Sequence, residues 1–136
     1  MKYIFLLIML ISSVANAEPD LIWLMNNNDA NGASSEYYVN NTLQKSADKR
    51  YVSAVLLTNY ERPLIIDGKK ALSVKSKVFY DCANIAMKPS DEIYYSEKNG
   101  GRQIVLKNSV DQQLTYFKVT IEKYASKIKM ICSLEK

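Results

Sequence analysis

The sequence predicts an α+β fold in which antiparallel strands fill most of the chain and a single helix ends it. Three observations predict this. Val74 to Cys82 alternates with a period of two, the pattern of a half-buried strand. Asn99-Gly100-Gly101 falls between two short apolar runs, which is a hairpin signal. Beyond Leu114 the apolar spacing changes to 3.6, the period of a helix. The 136 residues, 48% hydrophobic and 24% charged with 4 Gly and 3 Pro, suit one globular domain and exclude collagen-like and low-complexity classes.

The first seventeen residues stand apart from that domain. Met1 and Lys2 form a short basic start, Tyr3 to Ile11 is apolar, and Ala15-Asn16-Ala17 is a small-x-small cleavage site. This is the layout of a secretory signal peptide, and the run is short for a membrane span. The expected division is therefore 1–17 signal peptide and 18–136 one domain. No cysteine lies near the cleavage site, so no lipid anchor is expected, and no later segment is apolar enough for a transmembrane span. The expected destination is the periplasm or the exterior.

In the domain, Leu21 to Met25 is an apolar run around Trp23, and Asn26-Asn27-Asn28-Asp29 reads as a turn continuing through Gly32. Glu36-Tyr37-Tyr38-Val39 suits a strand, being aromatic and β-branched. Tyr51 to Thr58 reads as a largely buried strand. Pro63 and Asp67-Gly68 read as turns. In the alternating strand, Val74, Ser76, Val78, Tyr80 and Cys82 point inward, while Lys75, Lys77, Phe79 and Asp81 point outward. Ile93-Tyr94-Tyr95 and Ile104-Val105-Leu106 form the hairpin around Gly100-Gly101.

On a helical wheel Leu114, Phe117, Ile121, Tyr124, Ala125, Ile128 and Cys132 share one arc, opposite Lys118, Glu122, Ser126 and Lys129. Thr120 followed by Glu122 marks a second, later candidate start. Cys82 and Cys132 are the only cysteines. In an oxidising compartment such an even, widely spaced pair reads as one structural disulfide, stapling the helix to the sheet.

Chemistry is sparse. The chain has no histidine, which excludes His-based triads, imidazole acid–base catalysis and the common His-containing zinc sites. It shows no Gly-rich phosphate loop and no metal-ligand spacing, so no cofactor is expected. Asp91-Glu92, the one adjacent acid pair, reads as a solvated turn after Pro89. The net charge of +4 falls to +3 when Lys2 leaves with the leader, which gives no grounds for a nucleic-acid partner. The lysines Lys69, Lys70, Lys75 and Lys77 are concentrated instead in one segment. They read either as a solvated strand flank or as a docking surface for an acidic partner or glycan.

From Tyr37-Tyr38-Val39 to Cys132 the chain resembles the surface-adhesin protein E family of Gram-negative bacteria. The resemblance rests on Ser73-Val74-Lys75, Asp81-Cys82-Ala83-Asn84, Tyr94-Tyr95-Ser96, Gly100-Gly101 and a helix ending in Cys132. It implies an antiparallel sheet of about six strands with a C-terminal helix packed on it. It also implies a non-enzymatic adhesin that binds host laminin, vitronectin or plasminogen through a basic segment, here Lys69, Lys70, Lys75 and Lys77. The alternative reading is a soluble periplasmic binding or inhibitor protein acting on an envelope partner.

Overall fold

The computed structural model describes residues 20–88, 90–109 and 115–135. The expected signal peptide, residues 1–17, lies outside them, as do Pro89 and Leu114. Among the described residues the strands are β1 (Leu21–Asp29), β2 (Gly32–Val39), β3 (Gln44–Lys45), β4 (Tyr51–Ile66), β5 (Lys69–Asp81), β6 (Ala86–Lys88), β7 (Glu92–Tyr95), β8 (Ile104–Asn108) and β9 (Phe117–Lys118). One helix follows, α1 (Glu122–Ser133). All nine strands join one antiparallel sheet, with six along its main path in the order β1-β2-β4-β5-β6-β9. The α+β expectation holds, and short strands such as β3 and β9 raise the number above about six.

The long β4–β5 hairpin is the spine. Asp67 and Gly68, at φ 50° and 76°, form its turn, where paired left-handed residues match the twist of the strands. Pro63 is not a turn. It lies within β4 at a register shift, where Tyr60 to Pro63 bulge between the pairs Asn59↔Ser73 and Leu64↔Ala71. A proline there removes no ladder hydrogen bond, since the ladder is already interrupted. Asn26 to Asp29 is likewise strand: all four pair with β2, and the turn falls at Ala30-Asn31. An edge strand accommodates such polar residues because its side chains remain in reach of water and of each other.

The principal core lies on one face of the spine. Val52, Ala54 and Leu56 of β4 and Val78 and Tyr80 of β5 are buried beneath Ile128 and Ile131 of α1, both fully enclosed. A bulge at Trp23/Met25 turns both Leu24 and Met25 into this core. Cys82 and Cys132 are bonded, with their Cα atoms 6.0 Å apart, which fixes the end of α1 to the end of β5.

The opposite face is also partly covered. Leu57, Ala71 and Ser73 are fully buried there, although the alternation placed that side outward. The 3₁₀ turn Lys98–Gly100 covers them. Ser73 Oγ donates to the Glu97 carbonyl and accepts the Gly100 N–H, while Asn59 and Asn99 exchange two hydrogen bonds of 2.8 Å.

The helix begins later than its apolar stripe suggests. Phe117 belongs to β9, where it pairs with Met87 and is 51% exposed, and Ile121 precedes the first helical residue. The sheet edge satisfies these backbone groups, helped by a Val119 N–H to Ile85 carbonyl bond of 2.9 Å. The buried side of α1 consists of Lys127, Ile128 and Ile131.

Candidate functional site

The four lysines do not form one cluster. Lys69 and Lys70 pair with Ile66 and Ile65 at the hairpin tip, exposed and on opposite faces. Lys77 lies roughly 23 Å further along than Lys70 at about 3.3 Å per strand residue. Lys75 shares a face with Lys77 but is half-buried. Its aliphatic chain crosses Gly100, where an added Cβ would come within 2.6 Å of Lys75 Cε, and its ammonium sits 5.5 Å from the Tyr95 ring centre. Lys77 is exposed, with its ammonium 5.4 Å from the centre of the Phe79 ring.

Phe79 is where a site assembles. The β5–β6 register sets Lys88 opposite Phe79, so the Lys88 ammonium lies 5.1 Å from the same ring and 5.2 Å from Tyr116. Tyr116 packs against Tyr51 at 5.6 Å, and the Arg50 guanidinium lies 5.2 Å from the Tyr51 ring. Cations and rings therefore form a continuous chain of contacts across the face from Lys77 to Arg50, with the Tyr116 and Tyr51 rings adjacent in it. Each contact within about 6 Å draws a cation to an aromatic quadrupole and holds its long side chain in place. Tyr116 also borders a cleft of about 610 Å³ into which Lys118 and Lys129 bring two further charges.

One end of this face is anchored at Asp81. Arg50 makes two hydrogen bonds to its carboxylate, at 3.2 and 3.3 Å. The Ala83 and Asn84 N–H groups and the Asn84 amide also donate to it. The Arg50 hydrogen bond, followed by those from Asn84, holds the Asp81 carboxyl below the usual carboxylate range against the opposing effect of burial. Asp81-Cys82-Ala83-Asn84 is thus a carboxylate-capped turn that presents Cys82 to Cys132.

Sequence reasoning placed Lys75, Lys77 and Phe79 on one face but missed Lys88, Tyr116, Lys118 and Lys129. The outward phenylalanine between basic residues was a readable signal. The Lys88 contact depends on strand register and had none. Glu92, taken for part of a solvated turn, opens β7 opposite Ser76 and accepts a 2.7 Å hydrogen bond from Tyr94.

Among the described residues no helix is long and apolar enough to cross a membrane, and no group of three or more His, Cys, Asp or Glu side chains is placed to hold a metal. The sheet, with its disulfide-tied helix and its cationic, aromatic face, defines a small α+β domain. The chain belongs to the surface-adhesin protein E family, whose pattern matches residues 23–133. Its fold is similar to crystal structures of protein E from Haemophilus influenzae. Crystal form II aligns at 17% identity with a TM-score of 0.58, over 82% of this chain and 87% of that one. Protein E from a non-typeable strain aligns at 17% identity with a TM-score of 0.57, over 86% and 81%. No curated protein matches the chain.

Proposed function

We propose that residues 18–136, exported after cleavage of residues 1–17, form a non-enzymatic adhesin that docks acidic segments of host matrix or plasma proteins on the face around Phe79. The carrying observation is that Lys77 and Lys88 both hold their ammoniums against the Phe79 ring on the exposed side of the sheet. Stacked lysines are partly ordered before binding, so less side-chain entropy is lost when a carboxylate or sulfate arrives. Tyr116, Lys118 and Lys129 extend the surface into the adjoining cleft. Membership of an adhesin family supports this reading, and laminin, vitronectin and plasminogen are the proteins to try.

Surface exposure and binding test it together. Antibody labelling of intact cells is expected to reach the protein, and the purified protein is expected to bind immobilised vitronectin or laminin more weakly as salt rises. Confinement to a periplasmic extract, with no binding to either protein at low salt, would replace this reading with a soluble periplasmic binding protein.

A further inference from the structure

A second concave site lies on the opposite face of the sheet, beneath α1, and is independent of the docking face. Ser76, Val78 and Tyr80 of β5 line it, with Glu36 of β2, Glu92 of β7 and Lys127 of α1, around a cavity of about 140 Å³. That is room for about four or five water molecules at about 30 Å³ each, which suits a short chain molecule.

Two features single it out. Tyr80 is completely enclosed, yet its hydroxyl has no hydrogen-bond partner among the described residues. Buried hydroxyls are normally paired, so this one, on a residue that lines the cavity, lacks its usual partner. The charges are also uneven. Lys127 is committed to Glu36, at 3.2 and 3.4 Å, which leaves the Glu92 carboxylate without a cation in the cavity; Tyr94 donates to one of its oxygens at 2.7 Å. Leu56 and Met87 complete an apolar wall with Val78.

We propose that this cavity binds a primary ammonium on a short aliphatic chain that carries a hydrogen-bonding group at its other end. The ammonium donates to Glu92, the methylenes lie on Leu56, Val78 and Met87, and the distal polar group meets the Tyr80 hydroxyl. A free amino alcohol or diamine has this chemistry.

The test is an amide chemical-shift titration of the purified protein with 4-amino-1-butanol, n-butylamine and 1-butanol. Saturable shifts at Ser76, Val78, Tyr80 and Lys127 are expected with the amino alcohol, and 1-butanol is expected to bind about tenfold more weakly, since it lacks the charge. Glu92→Gln, which keeps the side chain's shape, is expected to weaken both amines. Tyr80→Phe removes only an unpartnered hydroxyl and is expected to weaken the amino alcohol while leaving n-butylamine unchanged. If 1-butanol binds as well as the amines, or no probe saturates, the proposal fails. It fails equally if Tyr80→Phe alters no affinity, because that hydroxyl then contacts water only.

Discussion

Lys127 of α1 reaches Glu36 of β2 across 91 positions of sequence, closing an ion pair at 3.2 Å with the two side chains only 10% and 15% exposed. The pair spans helix and sheet near the centre of the domain. Asn27 donates to the same carboxylate at 3.1 Å, and the Lys127 ammonium lies 5.6 Å from the Tyr124 ring, so neither charge is left bare.

Removing one member of this pair strands the other in a poorly solvated site. Lys127→Met or Glu36→Met alone is expected to lower unfolding stability by about 3 kcal/mol, whereas the two together are expected to cost much less, because apolar side chains of similar size need no compensation. Urea titrations of both single variants and the double variant measure the coupling. Additive losses would show that the pair contributes no interaction of its own.

The disulfide closes a 50-residue interval. Restricting the unfolded chain to that loop is worth roughly 4 kcal/mol in the entropic account. Reduction, or Cys82→Ala with Cys132→Ala, is therefore expected to lower the thermal midpoint by many degrees while the far-ultraviolet spectrum stays strand-rich below it. Two free thiols in the unreduced native protein would contradict the bonded arrangement.

Asp81 makes stability depend on pH at the acid end. Its carboxyl titrates lower in the folded chain than the ordinary 3.8, chiefly through the Arg50 hydrogen bond. The folded state thus favours the ionised form. The stabilisation is fully present above about pH 4, the unfolded range, and is lost as pH falls through the lower folded value. Denaturation midpoints between pH 2 and 6 are expected to fall less steeply toward acid in Asp81→Asn than in the parent. Parallel curves would assign the acid sensitivity to other carboxylates.

Gly100 and Gly68 separate backbone strain from crowding. Both have positive φ, at 69° and 76°, but a Cβ on Gly68 meets nothing within 4 Å whereas one on Gly100 meets Lys75. Gly68→Ala is expected to cost about 1–2 kcal/mol, the penalty of a left-handed residue. Gly100→Ala should cost more, because Lys75 must leave its place against Tyr95. Calorimetry that finds equal losses would mean that the lysine moves aside freely.

The sequence made some of this geometry readable and hid the rest for identifiable reasons. The period of two from Val74 to Cys82 correctly put Tyr80 and Cys82 toward the helix, because one-residue alternation follows from strand geometry itself. It failed to show that Ala71 and Ser73 are buried on the other face, because their cover is a 3₁₀ turn contributed from Lys98–Gly100. Pro63 and the asparagine tract carried turn-like chemistry, and pairing with β5 and β2 overrode it. Lys127 could not be assigned to the interior from its type, since lysine is rarely buried and its partner lies on a distant strand. Most of the proposed docking face was hidden similarly: Lys88 meets Phe79 only through register, and Tyr116 meets Lys88 only once β9 has closed the sheet edge.

That division among the lysines makes the proposed docking surface separable by mutation. Lys69 and Lys70 project from opposite faces at the hairpin tip, while Lys77 and Lys88 converge on one ring. If the whole basic segment attracts an acidic partner through net charge alone, Lys69→Gln with Lys70→Gln should weaken binding as much as Lys77→Gln with Lys88→Gln, since each removes two charges. If the ordered face is the contact, the second pair should dominate. Exposed charge contacts and cation–ring contacts each contribute about 0.5–1 kcal/mol, so losing two is expected to weaken vitronectin or heparin binding by about tenfold. The tip pair is expected to change it much less, and both double variants should stay within about 0.5 kcal/mol of the parent in stability. Phe79→Leu supplies the further control: it keeps both charges but removes the ring that orders them. Weaker binding by Phe79→Leu with an unchanged salt slope would locate the contribution in preorganisation, since the slope counts charges and the ring carries none. Equal losses from the two lysine pairs, with no effect at Phe79, would reduce the site to a diffuse positive field.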